Sequence, residues 1–118
     1  MKKILFVCSA NKDRSKTADD YFSNEFPEMD IYSAGTNEKI CHQLGTNPIS
    51  SELVEWADQV IVMEEKHRLY IQKNFDSVDY NQIKVLDIPD HYVYYQKELI
   101  DILKQKAKPI LDRLQQYQ

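Results

Sequence analysis

The organisation of the chain is clearest in one segment near its N-terminus, Ile4-Leu5-Phe6-Val7-Cys8-Ser9-Ala10-Asn11-Lys12-Asp13-Arg14-Ser15. Its first four residues, Ile4 to Val7, are a continuous run of β-forming apolar residues, which is typical of a strand buried on both faces. Polar residues follow, and apolar residues then recur at helical spacing from Ala18 to Phe26, with Pro27 closing the segment. The segment therefore predicts a buried strand, a short loop and a helix.

Three further segments predict strands. Residues 30–33 form a short one that ends at the turn residue Gly35, and residues 60–63 and 83–86 supply two more apolar runs. The stretch from Thr36 to Thr46 is polar and irregular, and it predicts a loop.

Helical patterns separate these strands. Asn47 and Pro48 predict a helix start, as an N-cap followed by proline at the first helical position, with Ile49, Leu53 and Trp56 on one face. Residues 64–75 predict a second helix. Residues 99–114 predict a long C-terminal helix, which Pro109 should kink or divide because proline removes a backbone donor and clashes with the preceding turn.

Alternation of strands and helices is typical of an α/β protein with a parallel sheet flanked by helices. The 118 residues fit a single domain, residues 1–118, since no repeat or linker interrupts them. Ligands of such folds bind outside the carboxyl ends of the strands. The loops to search therefore begin near Cys8, Ala34, Met63 and Asp87.

Composition excludes several classes of function. Hydrophobic residues at 42% and charged residues at 29% are typical of soluble globular proteins and not of disordered or membrane-spanning chains. A net charge of −4 argues against broad nucleic-acid binding. The apolar run that stops at Val7 is too short for a signal peptide, and two cysteines are too few for a disulfide framework, so we expect a cytoplasmic protein.

The first loop combines a cysteine with an arginine six residues later, Cys8 and Arg14, and with Ser15. A tight loop that runs into a helix N-terminus directs several backbone N–H groups at one point and makes an anion site. Arg14 can close over that anion with a planar two-pronged grip. Cys8 lies at the floor, where the same positive field favours its thiolate form, and Ser15 can hydrogen-bond the sulfur. That geometry suits attack on a phosphate monoester.

A plainer interpretation makes Cys8 a small core residue and Arg14 a surface cation. The strand before the loop and the helix after it favour the phosphate site. Cys41 is interpreted as a structural thiol, and His67 either as a solvated helix cation or as a substrate contact. His42 and His91 lack the spacing of zinc ligands, so no metal site is predicted.

Three other motifs join this loop in a fixed order. They are Ser33-Ala34-Gly35, the run Ala57-Asp58-Gln59-Val60-Ile61-Val62-Met63-Glu64-Glu65-Lys66-His67, and Asp87-Ile88-Pro89-Asp90-His91-Tyr92. With these motifs the sequence resembles the low-molecular-weight protein tyrosine phosphatases from Ile4 to about Leu114. The resemblance implies a four-stranded parallel sheet of order 2-1-3-4 with helices on both faces.

The resemblance also implies a role for each matched residue. Cys8 would take the phosphoryl group, and Asp90 would protonate the leaving oxygen and then activate water, with no metal and no cofactor. Spacing alone does not choose between Asp87 and Asp90 as this acid, and the motif match favours Asp90. Asn11 would hold the loop through an unusual backbone conformation and a contact with Ser33. The residues expected to contact the phosphate or its substrate, besides Arg14, are Ser9, Ala10, Asn11, Lys12, Asp13, Ser15 and Tyr92.

Several positions depart from the family's pattern. Ala10 replaces a glycine, Asp13 replaces a second cysteine, Lys12 stands where an apolar wall is usual, and His91 replaces a proline. The stretch from Thr36 to Thr46 looks too short for the helix usual there, which predicts an open entrance that a partner could complete.

The sequence thus predicts a cysteine-dependent phosphomonoester hydrolase, with phosphotyrosine in proteins as the leading substrate. The expected partners are a phosphorylated protein or a small phosphomonoester, without nucleic acid or membrane. One alternative is an arsenate reductase on the same scaffold, for which only Cys41 could serve as the second thiol. Another is a phosphate-binding module without catalysis. The tyrosines at 92, 94 and 95 fit either stacking on an aromatic leaving group or surface packing.

Overall fold

The computed structural model describes residues 1–76 and 78–116, and over these residues it contains one four-stranded, fully parallel sheet. The strands are β1 (Lys3–Cys8), β2 (Asp30–Gly35), β3 (Gln59–Val62) and β4 (Ile83–Val85). The helices are α1 (Arg14–Glu25), α2 (Glu38–Leu44), α3 (Ser51–Trp56), α4 (Glu65–Asn74), α5 (Lys97–Lys106) and α6 (Lys108–Gln115), with a 3₁₀ turn at Tyr80–Gln82.

The strand order is β2-β1-β3-β4, as the resemblance implies. Strand β1 is central, with Phe6 opposite Ser33 on one side and Ile61 on the other. Its last residue, Cys8, lies opposite Gly35 of β2. The sheet therefore brings the carboxyl end of a central strand to the edge where ligands bind in parallel sheets.

Helices cover both faces of the sheet, so the predicted α/β architecture is confirmed. Ile4, Phe6 and Cys8 face a core that includes buried residues of α1, α5 and α6, whereas Leu5 and Val7 face a second core that receives α3 and α4. This alternation explains why the run from Ile4 to Val7 is apolar without a break. Each fully buried aliphatic side chain contributes about 1.5–3 kcal/mol to folding.

The stretch from Thr36 to Thr46 contains a helix, so the prediction of a loop is wrong. Helix α2 begins after Asn37, whose side chain accepts a hydrogen bond from the Ile40 N–H at 3.1 Å. It ends at Gly45, which has a left-handed φ of 72°. Apolar periodicity does not reveal this helix because Cys41 is its only buried residue. The helix packs on the loop that follows β1, where Cys41 Sγ lies 3.5 Å from the Ala10 carbonyl oxygen.

The predicted helix start at Asn47 and Pro48 is also wrong. Helix α3 begins later, with Ser50 as its N-cap, whose hydroxyl accepts from the Leu53 N–H at 3.2 Å. Residues 47–49 instead extend the edge of the sheet, because the Gly35 N–H donates to Asn47 and the Ile49 N–H donates to Gly35. The side chain of Asn47 thereby stays available for other contacts.

The three remaining helix predictions hold, and α1 covers the first of them. Helix α4 follows Glu64 and ends before Phe75. The C-terminal helix is divided at Ala107, and Pro109 lies in the first turn of α6, where a missing N–H costs little. Among the residues described, no helix is both long and apolar enough to cross a membrane.

Candidate active site

The loop between β1 and α1 surrounds a small pocket of about 40 Å³. Cys8 ends β1 and is almost fully buried at the base of this loop, while Arg14 begins α1. The residues that line the pocket are Cys8, Ser9, Ala10, Lys12, Asp13, Arg14 and Asp90. One cavity therefore joins the predicted nucleophile, the predicted anion-binding arginine and the predicted acid.

Asn11 holds the loop from behind the pocket. It has a left-handed φ of 54°, which asparagine tolerates better than most residues. Its Oδ1 accepts from the Asn47 N–H at 3.1 Å, so its Nδ2 must be the group that donates to Ser15 Oγ at 2.9 Å. The buried Asn11 side chain thus points away from the pocket and fixes Ser15.

Ser15 connects this network to the sulfur. Its Oγ lies 3.0 Å from Cys8 Sγ. Because the same oxygen accepts from Asn11, its hydrogen can go to one of two acceptors, the Cys8 sulfur or the Ala34 carbonyl at 3.4 Å, and the sulfur is the nearer of the two. A hydroxyl donor at this distance stabilises sulfur in its thiolate form.

Arg14 is 2% exposed and is held by groups from two distant loops. Its Nη1 donates to Glu64 Oε2 at 2.5 Å and to the carbonyl of Ile88 at 2.8 Å. Burial by itself would raise the pKa of Glu64, but the hydrogen bond and charge of Arg14 outweigh it and bring that pKa below its ordinary value. Glu64 therefore stays ionised, and sequence reasoning gave it no role.

His67 is 1% exposed, which rules out the first of its two interpretations, a solvated helix cation. Its Nδ1 accepts from the Glu64 N–H at 3.0 Å, and Nε2 therefore carries the proton and donates to Ser9 Oγ at 2.9 Å. Burial, followed by the charge of Arg14, lowers the pKa of His67 to about 4. A neutral histidine thus joins α4 to the residue after Cys8.

The loop after β4 carries Asp90 to the mouth of the pocket. The Asp90 side chain is 67% exposed, and its Oδ1 lies 3.7 Å from Arg14 Nε. Asp87 does not line this pocket and borders a separate groove with Glu64 and Pro89. Of the two carboxyl groups that spacing leaves open, only Asp90 is among the residues that line the pocket with Cys8.

No family model matches the chain, and no curated protein does. Among solved structures, the tyrosine phosphatase Wzb from Escherichia coli K30 matches with 21% identity and a TM-score of 0.78, over 96% of this chain and 98% of its own.

Two further structures agree with it. A low-molecular-weight phosphotyrosine phosphatase from Vibrio cholerae O395 matches with 15% identity and a TM-score of 0.79, over 98% of this chain and 97% of its own. The YwlE arginine phosphatase from Geobacillus stearothermophilus matches with 20% identity and a TM-score of 0.77, over 100% and 96%. The chain has the fold of the low-molecular-weight protein tyrosine phosphatases.

Within this fold, Ser33 does not contact Asn11 as predicted. The buried Ser33 hydroxyl donates to Asp19 Oδ2 at 2.7 Å instead. Burial raises the pKa of Asp19, and this hydrogen bond opposes the rise. Asn47 links the two residues indirectly, since it binds Asn11 through its N–H and the Ser33 carbonyl through its side chain at 3.3 Å.

Ala10 is accommodated where the low-molecular-weight phosphatase pattern has a glycine. It is not one of the non-glycine residues with positive φ, so its side chain causes no backbone strain. Its carbonyl accepts from the Thr46 hydroxyl at 2.6 Å and lies 3.5 Å from Cys41 Sγ. Cys41 is a free, fully buried thiol packed behind the loop.

The remaining predicted contacts divide into two groups. Lys12 is exposed at the pocket, and Asp13 also lines it. Tyr92 is partly buried against the core beneath α1 and α5 and does not line the pocket. The prediction that Tyr92 stacks on a leaving group therefore has less support than the alternative of packing.

Proposed function

We propose that the chain is a cysteine-dependent phosphomonoester hydrolase, with a phosphorylated tyrosine side chain as the first substrate to test. The observation that carries this proposal is the shared pocket of Cys8, Arg14 and Asp90. A nucleophile, an anion-binding cation and a carboxyl group that can give a proton are the parts that phosphoryl transfer through an enzyme intermediate requires.

In the first step, the Cys8 thiolate attacks phosphorus and the bond to the leaving oxygen breaks. The carboxyl group of Asp90 gives its proton to that oxygen, so the alcohol or phenol leaves neutral. Arg14 and the N–H groups of the loop bind the phosphate oxygens as charge shifts among them. The Ser15 hydroxyl, 3.0 Å from the sulfur, stabilises the thiolate before attack.

In the second step, water attacks the cysteinyl phosphate. The Asp90 carboxylate, which lost its proton in the first step, takes a proton from this water. The sulfur–phosphorus bond breaks, inorganic phosphate leaves and the Cys8 thiolate returns. The hydrogen bond from Ser15 assists here too, because it stabilises sulfur as a leaving group.

The choice of substrate depends on the groups outside the pocket. A cavity of about 40 Å³ has room for little more than the phosphate, so the rest of the substrate lies against the rim. That rim carries Lys12, Asp13 and Asp90, which is a mixture of charges. Neighbours with this fold are named for tyrosine and for arginine phosphatase activity, so phosphoarginine belongs in the substrate panel.

The alternatives from the sequence have less support. An arsenate reductase needs a second thiol that can reach Cys8. Cys41 is fully buried in α2, and its sulfur lies against the carbonyl of Ala10. A phosphate-binding module without catalysis needs no hydrogen bond to the Cys8 sulfur, yet the Ser15 hydroxyl lies 3.0 Å from it.

The test compares the wild-type protein with Cys8→Ser on p-nitrophenyl phosphate and on peptides carrying phosphotyrosine, phosphoserine or phosphoarginine. The expected result is turnover of the aryl phosphate by the wild type and none by Cys8→Ser, which still binds inorganic phosphate in a calorimeter. Binding without turnover in both proteins would support the non-catalytic module instead.

A further inference from the structure

Asp13 lies just before α1 but does not cap that helix. It occupies the N-cap position, where an aspartate normally accepts a hydrogen bond from the first turn, yet its side chain makes no such bond. Instead, its Oδ1 accepts from the backbone N–H of Tyr94 at 2.9 Å. The carboxylate thus gives up a local contact and holds a residue 81 positions further along the chain.

The next turns of α1 continue the same attachment. The N–H of Tyr95 donates to Thr17 Oγ1 at 2.9 Å, and the Tyr94 hydroxyl donates to Asp20. Asp13, Thr17 and Asp20 follow each other at helical spacing, so they lie on one face of α1. This face holds the end of the loop that follows β4.

The start of that loop is also attached, through Arg14, the residue that follows Asp13. Arg14 Nη1 donates to the Ile88 carbonyl at 2.8 Å, while the Ile88 N–H donates to Met63 at 2.8 Å. Asp90 therefore lies between two attachment points, and two consecutive residues at the start of α1, Asp13 and Arg14, provide them. Ile88 comes two residues before Asp90 and Tyr94 four residues after it.

Both ends of the loop adopt a backbone conformation that needs such support. Asp87 has a φ of 56° and Tyr95 a φ of 61°, each in the left-handed region. For residues other than glycine this conformation costs about 1–2 kcal/mol, so surrounding contacts must hold it. Lys106 Nζ donates to the Asp87 carbonyl at 3.1 Å, and Thr17 holds Tyr95.

We propose that Asp13 is a positioning residue, whose carboxylate oxygen holds the loop that carries Asp90 over Cys8. The inference rests on the proposed function, because it gives Asp13 a part in delivering the proton of Asp90. The hydrogen-bond acceptor matters here and not the negative charge. A shift of an acid by about 1 Å can lower a rate by roughly a hundredfold, so one such contact is enough to affect turnover.

The first experiment measures kcat/KM for p-nitrophenyl phosphate and for phenyl phosphate. The nitrophenolate leaves without a proton, whereas the phenolate needs one from Asp90. Asp13→Ala is expected to lower kcat/KM for phenyl phosphate about tenfold more than it lowers kcat/KM for p-nitrophenyl phosphate. General acid catalysis supplies roughly a hundredfold or more, and the misplaced acid loses part of it. The removed charge affects the binding of both dianions alike, so it cancels in this ratio.

One further variant tests whether the hydrogen-bond acceptor of Asp13 matters or its negative charge. Another tests whether the loss of any surface carboxylate has the same effect. Asp13→Asn keeps an oxygen for the Tyr94 N–H and should keep the wild-type ratio. Asp101→Ala removes an exposed aspartate that pairs with Lys97 on α5, and it controls for the loss of a surface carboxylate. Equal losses on both substrates in Asp13→Ala, or the same changed ratio in Asp13→Asn, would overturn the inference.

A double variant provides a readout that a merely structural residue would not change. In the Asp90→Asn background there is no proton to deliver, so adding Asp13→Ala should leave the ratio of the two substrates unchanged. If the two substitutions lower the ratio independently, Asp13 does not act through Asp90 and the proposal is wrong.

Amide hydrogen exchange keeps this test separate from the proposed function. The Tyr94 N–H should exchange faster in Asp13→Ala than in the wild type or in Asp13→Asn. A wild-type protein with no turnover of either phosphate ester contradicts the proposed function, and the role in proton delivery with it. Unchanged exchange at Tyr94 contradicts the attachment itself, whatever the activity.

Discussion

His67 Nε2 lies 2.9 Å from the hydroxyl of Ser9, the residue that follows Cys8 in the loop between β1 and α1. The other ring nitrogen accepts from the Glu64 N–H at 3.0 Å. A protonated ring would lose that acceptor and add a positive charge near Arg14. The hydrogen bond from the Glu64 N–H therefore requires a neutral histidine.

The free energy of unfolding should consequently decrease as the pH is lowered, over a range that the pKa of His67 determines. The unfolded chain protonates His67 near pH 6.5, whereas the folded protein does so only near pH 4. Between these values the unfolded state binds more protons, so the free energy of unfolding decreases as pH falls, by up to about 3 kcal/mol from this group. Urea unfolding from pH 7 to pH 4 measures the decrease.

His67→Gln isolates this effect. Asp19 contributes with the opposite sign, because burial raises its pKa and its folded form takes up a proton more readily. Subtracting the curve of the variant from that of the wild type removes Asp19 and all other shared groups. The difference should be flat above pH 6.5 and slope below it; a difference that does not vary with pH would contradict a neutral His67.

The part of the site that sequence reasoning found is local in the chain. The apolar run from Ile4 to Val7, the polar loop and the helix lie within one segment, so their periodicities reveal strand, loop and helix together. Helix α2 was not predicted, because its only sequence signals are its two caps, Asn37 and Gly45, and no apolar face lies between them. A short helix with one buried residue has no periodicity to detect.

Glu64 should weaken anion binding, because its carboxylate neutralises part of the charge of Arg14. Glu64→Gln keeps an oxygen near Arg14 and removes the charge. The affinity for inorganic phosphate is expected to rise by roughly fivefold, or about 1 kcal/mol, at low ionic strength. Isothermal titration calorimetry at two salt concentrations tests this, since added salt should reduce the gain.

The matched control is Glu65→Gln, one residue further along. Glu65 is exposed and pairs with Arg68 on the surface of α4, so its charge lies outside the pocket. Affinity should change little in this variant. Weaker phosphate binding by Glu64→Gln would mean that the carboxylate chiefly orients Arg14, and the prediction would then be wrong.

The backbone of Asn11 gives a prediction about stability. Asn11→Ala loses the hydrogen bonds to Asn47 and Ser15 and also places alanine at a φ of 54°, whereas Asn11→Gly loses only the hydrogen bonds. The alanine variant should therefore unfold more easily than the glycine variant by about 1 kcal/mol or more. Turnover of p-nitrophenyl phosphate should fall in both, because neither fixes Ser15. Equal stability of the two variants in urea would contradict the strain.

Contacts between distant segments account for what the sequence could not reveal. Asp13 was recognisable as a departure from the family's pattern, but its partner is a backbone N–H of Tyr94, and every residue except proline has one. Arg14 and Glu64 are likewise 50 residues apart. Charge and spacing identify such residues as unusual, and only the folded chain shows which group each one binds.

Gly35 should tolerate no side chain, because β2 passes directly behind the loop between β1 and α1 there. A Cβ at this position would lie 2.5 Å from the Ser9 carbonyl oxygen, 2.7 Å from Cys41 Sγ and 2.9 Å from the Asn11 nitrogen. Two of these atoms belong to the backbone of the loop, so the loop itself must move. Gly35→Ala is expected to lower stability by about 1–3 kcal/mol and to weaken phosphate binding as well.

Gly45→Ala separates these two effects. Gly45 has a φ of 72°, and a Cβ added there would have no neighbour within 4 Å, so alanine costs about 1 kcal/mol of backbone strain without touching the loop. Both variants should therefore have a lower Tm than the wild type, but only Gly35→Ala should bind inorganic phosphate more weakly. Equal phosphate affinity in all three proteins would mean that the loop accommodates the added methyl group, and that its N–H groups are less tightly fixed than the contacts of Asn11 imply.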